Sequence, residues 1–482
     1  MSKTRSTVPA RPVFAGVLSP FLPAVFIGCI ALALQLAAGS ALAADSASWR
    51  AGTGRASITP PAGLWMTGYA VRDRPADGTA QELWVKALAV SDPAGNRGVI
   101  LTLDLCDVTR EVSDRVAASL MTRFAIPRSA IITNVSHTHC APWMEGGIAG
   151  LRIFPPEGVA KAVEFRHQLE TKMVQAAADA FESLAPATIS WGEDAATFGF
   201  NRRENPEAQA PALRAAGKLK GPFDPRVPVL AVHGPDGALR GLLVSYACHN
   251  TTLSLYQWHG DYAGCAQAEL EKRHPGATVL FAIGCGADIN PAPRREIAHA
   301  EQHGRDLADA TDRALRGTMK KVDGGFASAF EDLTLTFARI PTAAQLREAM
   351  EKNQPNKEMH QAWSAAITRQ LKEKGDAIRF YQYPIQAWRL GNLSWVALGG
   401  EVVIDYALRL GREMPGPLWV FGYSTDVMAY IPSERVLKEG RYEGETSMIP
   451  HGRPGPWTPG LEDKIVGKTV ELVARTKQAA AR

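Results

Sequence analysis

Apolar residues gather in short β-rich runs separated by longer stretches with helical spacing. The runs are residues 99–103 (VILTL), 131–135 (IITNV), 242–246 (LLVSY), 278–283 (TVLFAI), 394–398 (SWVAL) and 418–422 (LWVFG). Each has the length of a strand and is too uniformly apolar to keep one face in water, so burial on both faces is expected. Helical patterns fill 159–184, 263–273, 297–321 and 343–374; Pro355 interrupts the last, where 354–359 reads as a solvated excursion. Proline-rich segments 202–227 and 451–459 read as long loops. The alternation predicts an α/β or mixed α+β fold with a central sheet covered by helices. With no internal repeat or low-complexity linker, residues 48–482 read as one large domain.

Composition changes the picture at the N-terminus. Lys3, Arg5 and Arg11 precede an uncharged stretch whose residues 24–36 (AVFIGCIALALQL) are mostly apolar, and Ala41-Leu42-Ala43 supplies small residues at cleavage spacing. This is the form of a secretory signal covering residues 1–43, with a retained membrane anchor as the alternative. The expected location of the mature protein is periplasmic or secreted. The formal charge of +4 falls close to zero once the three basic residues are removed, so nothing electrostatic argues for nucleic acid. Five cysteines remain, Cys106, Cys140, Cys248, Cys265 and Cys285, an odd number that leaves at least one unpaired or intermolecular. Cys106, Cys248 and Cys285 lie in or beside apolar runs and read as buried thiols. Without any Cys-x-x-Cys, a thiolate metal site is disfavoured.

Chemistry collects where the strands end. The run at 131–135 leads into His137-Thr138-His139, that at 242–246 into His249, that at 278–283 into Asp288, that at 394–398 into Glu401, and that at 418–422 toward Asp426 and Tyr430. In sheet-based α/β folds these C-terminal ends line the ligand crevice. His137-x-His139 in extended structure would put both imidazoles on one side, although such pairs also serve as hydrogen-bonded structural elements. With His249 and Glu401 the donors match those of a catalytic zinc that keeps one position for water; spacing alone does not bring them together. The other eight histidines, such as His167, His299 and His303, read as solvated surface residues. Ser424 lies in Gly-Tyr-Ser-Thr-Asp rather than a nucleophile elbow, and no His-Glu-x-x-His helix occurs, so serine hydrolase and zincin chemistry lose their warrant.

These pieces resemble the neutral/alkaline, non-lysosomal ceramidases, zinc amidases that cleave the N-acyl bond of ceramide. Gly54-Arg55-Ala56-Ser57-Ile58-Thr59 with Met66-Thr67-Gly68-Tyr69 is similar to the opening of that family. Ser136-His137-Thr138-His139-Cys140-Ala141-Pro142 is similar to its Thr-His-Thr-His-Ser-Gly-Pro segment, and Asn201-Arg202 to its Asn-Arg-Ser. His249 and Glu401 stand where its second zinc histidine and its zinc glutamate fall, and Tyr430 and Tyr442 have the spacing of its two active-site tyrosines. The resemblance implies one zinc per chain held by His137, His249, Glu401 and Tyr430, with His139, Arg202 and Tyr442 acting around the substrate carbonyl. In those roles Arg202 and Tyr442 would donate hydrogen bonds to the oxyanion and His139 would carry a proton to the leaving nitrogen.

Two departures stand out. The family's Gly-Asp-Val-Ser-Pro corresponds to Ala287-Asp288-Ile289-Asn290-Pro291, so Asn290 replaces its active-site serine. An amide cannot be the nucleophile, which leaves Asp288 and Asn290 as expected substrate-binding residues. The chain also ends soon after Tyr442, so no C-terminal immunoglobulin-like domain is expected. The resulting expectation is an exported zinc-dependent amidohydrolase acting on ceramide-like or other N-acyl substrates, with peripheral membrane contact if the substrate is a lipid. The alternatives are an inactive exported binding protein that keeps the fold, and a zinc hydrolase of an unrelated ester or amide.

Overall fold

The computed structural model describes residues 48–147, 154–352 and 356–480, together with isolated positions between 9 and 16. Apart from those isolated positions, the signal segment proposed for residues 1–43 lies outside the described residues, as does the Pro355 interruption. Residues 48–482 form one compact unit, and no described helix is long and apolar enough to cross a membrane.

The fold is mixed α/β, and instead of one central sheet it has three principal sheets. In the first, β1 (Arg50–Ser57), β2 (Trp84–Ser91) and β3 (Arg97–Leu103) are antiparallel, and β4 (Ile131–Val135) closes the edge parallel to β3. The second contains β5 (Thr188–Ala195), β6 (Arg226–His233) and β7 (Leu239–Tyr246), with edge strand β8 (Thr278–Ile283) parallel to β7. The third comprises β9 (Phe326–Thr336), β10 (Phe380–Leu390) and β11 (Leu393–Leu398), again with a parallel edge strand, β12 (Leu418–Phe421). Each sheet thus ends in one parallel pair, and those pairs are the uniformly apolar runs of the sequence.

Helices cover the sheets on their apolar faces. Helix α1 (Pro156–Glu182) lies on β1, where Gly52 and Gly54 permit close approach: a Cβ at either would meet Ala180 O at 2.2 Å or Ala176 O at 2.1 Å. Helices α2 (Asp261–Arg273) and α3 (Ile297–Arg316) pack together on the second sheet, and α4 (Leu461–Ala480) on the third. The helix expected over 297–321 stops at Arg316 before Gly317, and that over 343–374 is divided into Ala343–Glu351 and Lys357–Lys374. The proline-rich 202–227 segment is only partly loop, since a short helix, Ala210–Ala215, interrupts it and Arg226 begins β6.

The three parallel edges meet at Asn134. Its Oδ1 accepts from Ile283 N at 2.9 Å and its Nδ2 donates to Gly422 O at 2.8 Å, joining β4 to the ends of β8 and β12 inside the core. A fully buried amide with both ends satisfied fixes register across three sheets that share no continuous ladder. This junction aims the strand exits at one place.

Candidate functional site

Beyond the junction the chain leaves the strands in conformations that turn donors inward. His137 has φ 61°, a left-handed backbone that costs a histidine on the order of 1–3 kcal/mol and persists where surrounding structure enforces it. The two histidines of His137-x-His139 therefore converge through this turn rather than through the strand alternation expected, and their Nε2 atoms lie 3.2 Å apart. His137 Nε2 is also 3.2 Å from His249 Nε2 and 3.2 Å from Glu401 Oε2, and His249 Nε2 is 3.4 Å from Glu401 Oε2. His137 Nδ1 donates to Cys106 O at 2.5 Å and His249 Nδ1 to Gly286 O at 3.0 Å. Carbonyls only accept, so both rings carry a proton on Nδ1, and a neutral ring turns its Nε2 lone pair toward the cluster. Glu401 Oε2, buried at the same point, makes no aligned hydrogen bond. This set could hold a metal ion.

Glu401 follows Gly400, and Glu401–Val402 pairs in parallel with Tyr430–Ile431, so Glu401 and Tyr430 are register partners. That pairing brings the Tyr430 hydroxyl within 3.4 Å of His249 Nε2, and no sequence spacing announces it. Gly400 sits at φ 74°, and a Cβ there would meet Ile431 Cγ1 at 2.6 Å and Ala429 O at 2.7 Å. Gly400→Ala is expected to destabilise the fold by about 1–3 kcal/mol through strain and overpacking and to weaken metal binding. Urea unfolding and metal titration check it; wild-type values for both would show that the turn relaxes freely.

Arg202 backs this cluster. Its Nη2 donates to Tyr430 OH at 3.0 Å, its Nε to Glu443 Oε1 at 2.8 Å and its Nη1 to Asn290 Oδ1 at 3.2 Å. The fork is thus committed to protein partners. Arg202 is not among the cavity-lining residues, so its observed contacts orient Tyr430 rather than meet a substrate oxygen. Asn290 likewise stands behind Arg202. Asp288, expected to bind substrate, is wholly buried and accepts from Asn201 Nδ2 at 3.0 Å and Ile404 N at 2.9 Å. It braces the loops carrying the site instead of facing the cavity, and burial pushes its carboxyl up to about 6.

The donors open onto a cavity of about 520 Å³, within the range of small-molecule sites. Trp65, Met66, Tyr69, Phe154, Met359 and Ile449 form its apolar wall, and His137, His139, Glu401 and Tyr430 its chemical end. Tyr442 stands at the wall with 45% of its surface exposed. His139 packs edge-on against Tyr69 at 4.6 Å, and its Nδ1 is buried without a hydrogen bond. Gly68 is required beneath it: a Cβ there would meet the His139 ring at 2.4 Å.

Electrostatics divide the donors. Burial opposes a charge on His137, but the neighbouring Cys106 and Glu401 hold it well above the ordinary imidazole value, and burial raises the Tyr430 hydroxyl well above its usual value. Burial lowers His139 well below the ordinary imidazole value, helped by the neighbouring His137 charge. Burial, reinforced by Arg202, takes His249 down to about 4. Burial works against the Glu401 carboxylate, but the imidazoles, His137 first, hold it well below the usual carboxylate range.

Sequence reasoning missed His451. Grouped by the sequence with surface histidines, it lines the cavity and lies 3.0 Å from Glu401 Oε1. His303 is likewise no surface residue: it is buried, stacks on Phe198 at 4.5 Å and contacts Pro293 O at 2.8 Å. His259 is also buried, accepting from Asp261 N at 2.8 Å. The cysteines are all free among the described residues, with Cys106, Cys140, Cys248 and Cys285 buried.

Residues 49–282 match the family model for the N-terminal part of neutral/alkaline non-lysosomal ceramidase. Neutral ceramidase 2 of Arabidopsis thaliana is 28% identical over 213 residues, which cover 42% of this chain and 27% of that protein. Neutral ceramidase A of Dictyostelium discoideum is 24% identical over 255 residues, covering 50% and 34%. The match thus spans about a third or less of these curated relatives. The solved neutral ceramidase from Pseudomonas aeruginosa superposes with a TM-score of 0.67 at 19% identity, covering 89% of this chain and 75% of that one. A ceramidase complexed with C2 gives 0.68 at 18%, covering 89% and 76%. Residues 49–282 thus match the neutral/alkaline non-lysosomal ceramidase family, and the fold of solved ceramidases is shared over 89% of the chain.

Proposed function

We propose that this chain is an exported zinc-dependent hydrolase of N-acyl amides. The observation that carries the metal is the spacing of three donors. Tetrahedral zinc with bonds of about 2.0–2.2 Å requires donor–donor edges of roughly 3.3–3.6 Å; His137, His249 and Glu401 stand 3.2, 3.2 and 3.4 Å apart. Lone pairs this close repel unless a cation or a shared proton lies between them, and Glu401 Oε2 is a buried acceptor that a metal cation would satisfy. Tyr430, supported by the Arg202 cation, is the fourth donor. Bound zinc would supply an activated water and a Lewis acid for the scissile carbonyl.

The remaining chemistry belongs to the chain. Neutral His139, whose ring lines the cavity, can take a proton and deliver it to the leaving nitrogen. Tyr442 can donate to the carbonyl oxygen. The aromatic wall excludes water and receives an acyl chain. Ceramide-like lipid amides suit that wall, and the relatives' names support them as the class to test. The basic, then apolar, then Ala-Leu-Ala N-terminus supports export to the periplasm or medium.

The experiment is a panel of N-acyl amides, short-chain ceramide and matched esters offered to zinc-loaded and chelator-treated protein. Amide cleavage restored by zinc after chelation is expected. Equal turnover in both preparations would overturn the metal reading, and zinc binding without turnover of any substrate would favour the inactive binding protein.

A further inference from the structure

The segment carrying His451 holds two of the proposed donors at once. His451 Nδ1 lies 2.7 Å from Ser447 O, and its Nε2 lies 3.0 Å from Glu401 Oε1. A carboxylate only accepts, so the contact to Glu401 is a hydrogen bond donated by the ring Nε2. Six residues on, Trp457 Nε1 donates to Tyr430 O at 2.8 Å. The same segment is anchored from outside: Arg453 Nε donates to Met428 O at 2.9 Å, and Trp363 Nε1, on the helix Lys357–Lys374, donates to Arg453 O at 2.8 Å. The ring itself is nearly inaccessible, with 3% of its side chain exposed, and packs edge-on to Tyr430 at 5.6 Å.

We infer that His451 is a positioning residue that ties up Glu401 Oε1 and so presents Oε2 alone to the metal. The inference rests on the zinc reading above. A carboxylate with both oxygens free can swing to chelate through two of them, filling the position that attacking water or the substrate carbonyl needs; a hydrogen bond to one oxygen prevents this. The geometry agrees: Oε1 is occupied by His451, while Oε2, without an aligned hydrogen bond, faces His137 and His249. His451 touches neither the reacting atoms nor the metal position in this arrangement. Its effect passes through Glu401.

The test uses the full chain with zinc and with cobalt as probes, in wild type, His451→Ala, His451→Gln and His451→Asn. The Gln amide nitrogen reproduces the ring Nε2 donor, whereas that of Asn reproduces Nδ1 and falls short of Glu401. Competition against a chromophoric chelator is expected to show zinc binding about 10- to 100-fold weaker in His451→Ala and His451→Asn, with most of the loss recovered in His451→Gln. The visible absorption of the cobalt-loaded protein is a second readout. Its intensity is expected to fall in the Ala and Asn variants as Glu401 adds a second oxygen, and to stay high with Gln, a pattern that general loosening of the segment would not produce. Wild-type affinity and spectrum in His451→Asn, with Gln no better than Asn, would overturn the inference while leaving the metal centre intact. Wild-type protein that binds no zinc overturns the centre itself. Should His451→Ala fail to fold, the Gln and Asn pair still decides.

Discussion

His249→Ala is expected to remove the metal and lower amide hydrolysis by on the order of 10³-fold or more, since zinc contributes several kcal/mol to such a transition state and each 1.36 kcal/mol is tenfold. The position separates chemistry from folding well. The His249 backbone N–H donates to Ile289 O at 2.8 Å, which alanine preserves, and His249 is absent from the chain's positive-φ residues, unlike His137. What is lost is an imidazole whose Nδ1 contacts Gly286 O and Tyr423 OH and whose Nε2 faces the cluster. Metal content by elemental analysis, circular dichroism and turnover on the best N-acyl substrate form the measurement. A folded variant with full zinc occupancy would remove His249 from the donor set.

Arg202→Met is the second large effect, and it acts on stability and metal together. The variant leaves the buried Glu443 with Arg203 as its remaining cationic partner and deprives Tyr430 of the 3.0 Å donor to its hydroxyl. A buried ion pair broken on one side costs about 3–5 kcal/mol, and about 3 is expected because Arg203 persists. Zinc affinity is expected to fall about 10- to 100-fold as the Tyr430 oxygen loses its orienting donor. Arg202→Lys keeps a charge but not the three-way fork, so it should recover part of the stability and little of the affinity. Denaturant midpoints and chelator competition read the two effects; a Met variant as stable and as zinc-avid as wild type would reduce Arg202 to a bystander.

The strands feeding the site were legible because each is buried on both faces and therefore spells a continuous apolar word. Residues 131–135 and 278–283 are observed as strands with the limits the sequence suggests. The antiparallel strands beside them were not read out: Phe326–Thr336, for example, is only partly buried and mixes polar with apolar positions. His137, His249 and Glu401 were legible as the polar residues that follow those runs. His451 was not, because it arrives on a proline-rich loop with no periodic signal, and its role depends on Ser447 and Glu401 being brought to its two nitrogens. Asp288 shows the converse error. It follows a strand as a ligand would, yet its oxygens are taken by Asn201 and the backbone of Ile404. Strand exits point toward a centre, but which side chains look inward depends on where the backbone donors fall.

The junction at Asn134 carries a consequence beyond placement. Parallel edge strands such as β4, β8 and β12 present unpaired backbone groups beside highly apolar side chains, the combination that invites pairing with other chains. Here the three edges meet around one buried amide and are tied further by backbone contacts such as Thr425 N to Thr133 O at 2.8 Å and the Gly284–Phe421 bridge. The native molecule thus hides its most adhesive segments in the place that builds the site. Opening that junction on heating would release IITNV, TVLFAI and LWVF together, so loss of this protein would proceed by aggregation, and its working lifetime would be set by the rate at which the three sheets part rather than by an equilibrium between folded and unfolded chains.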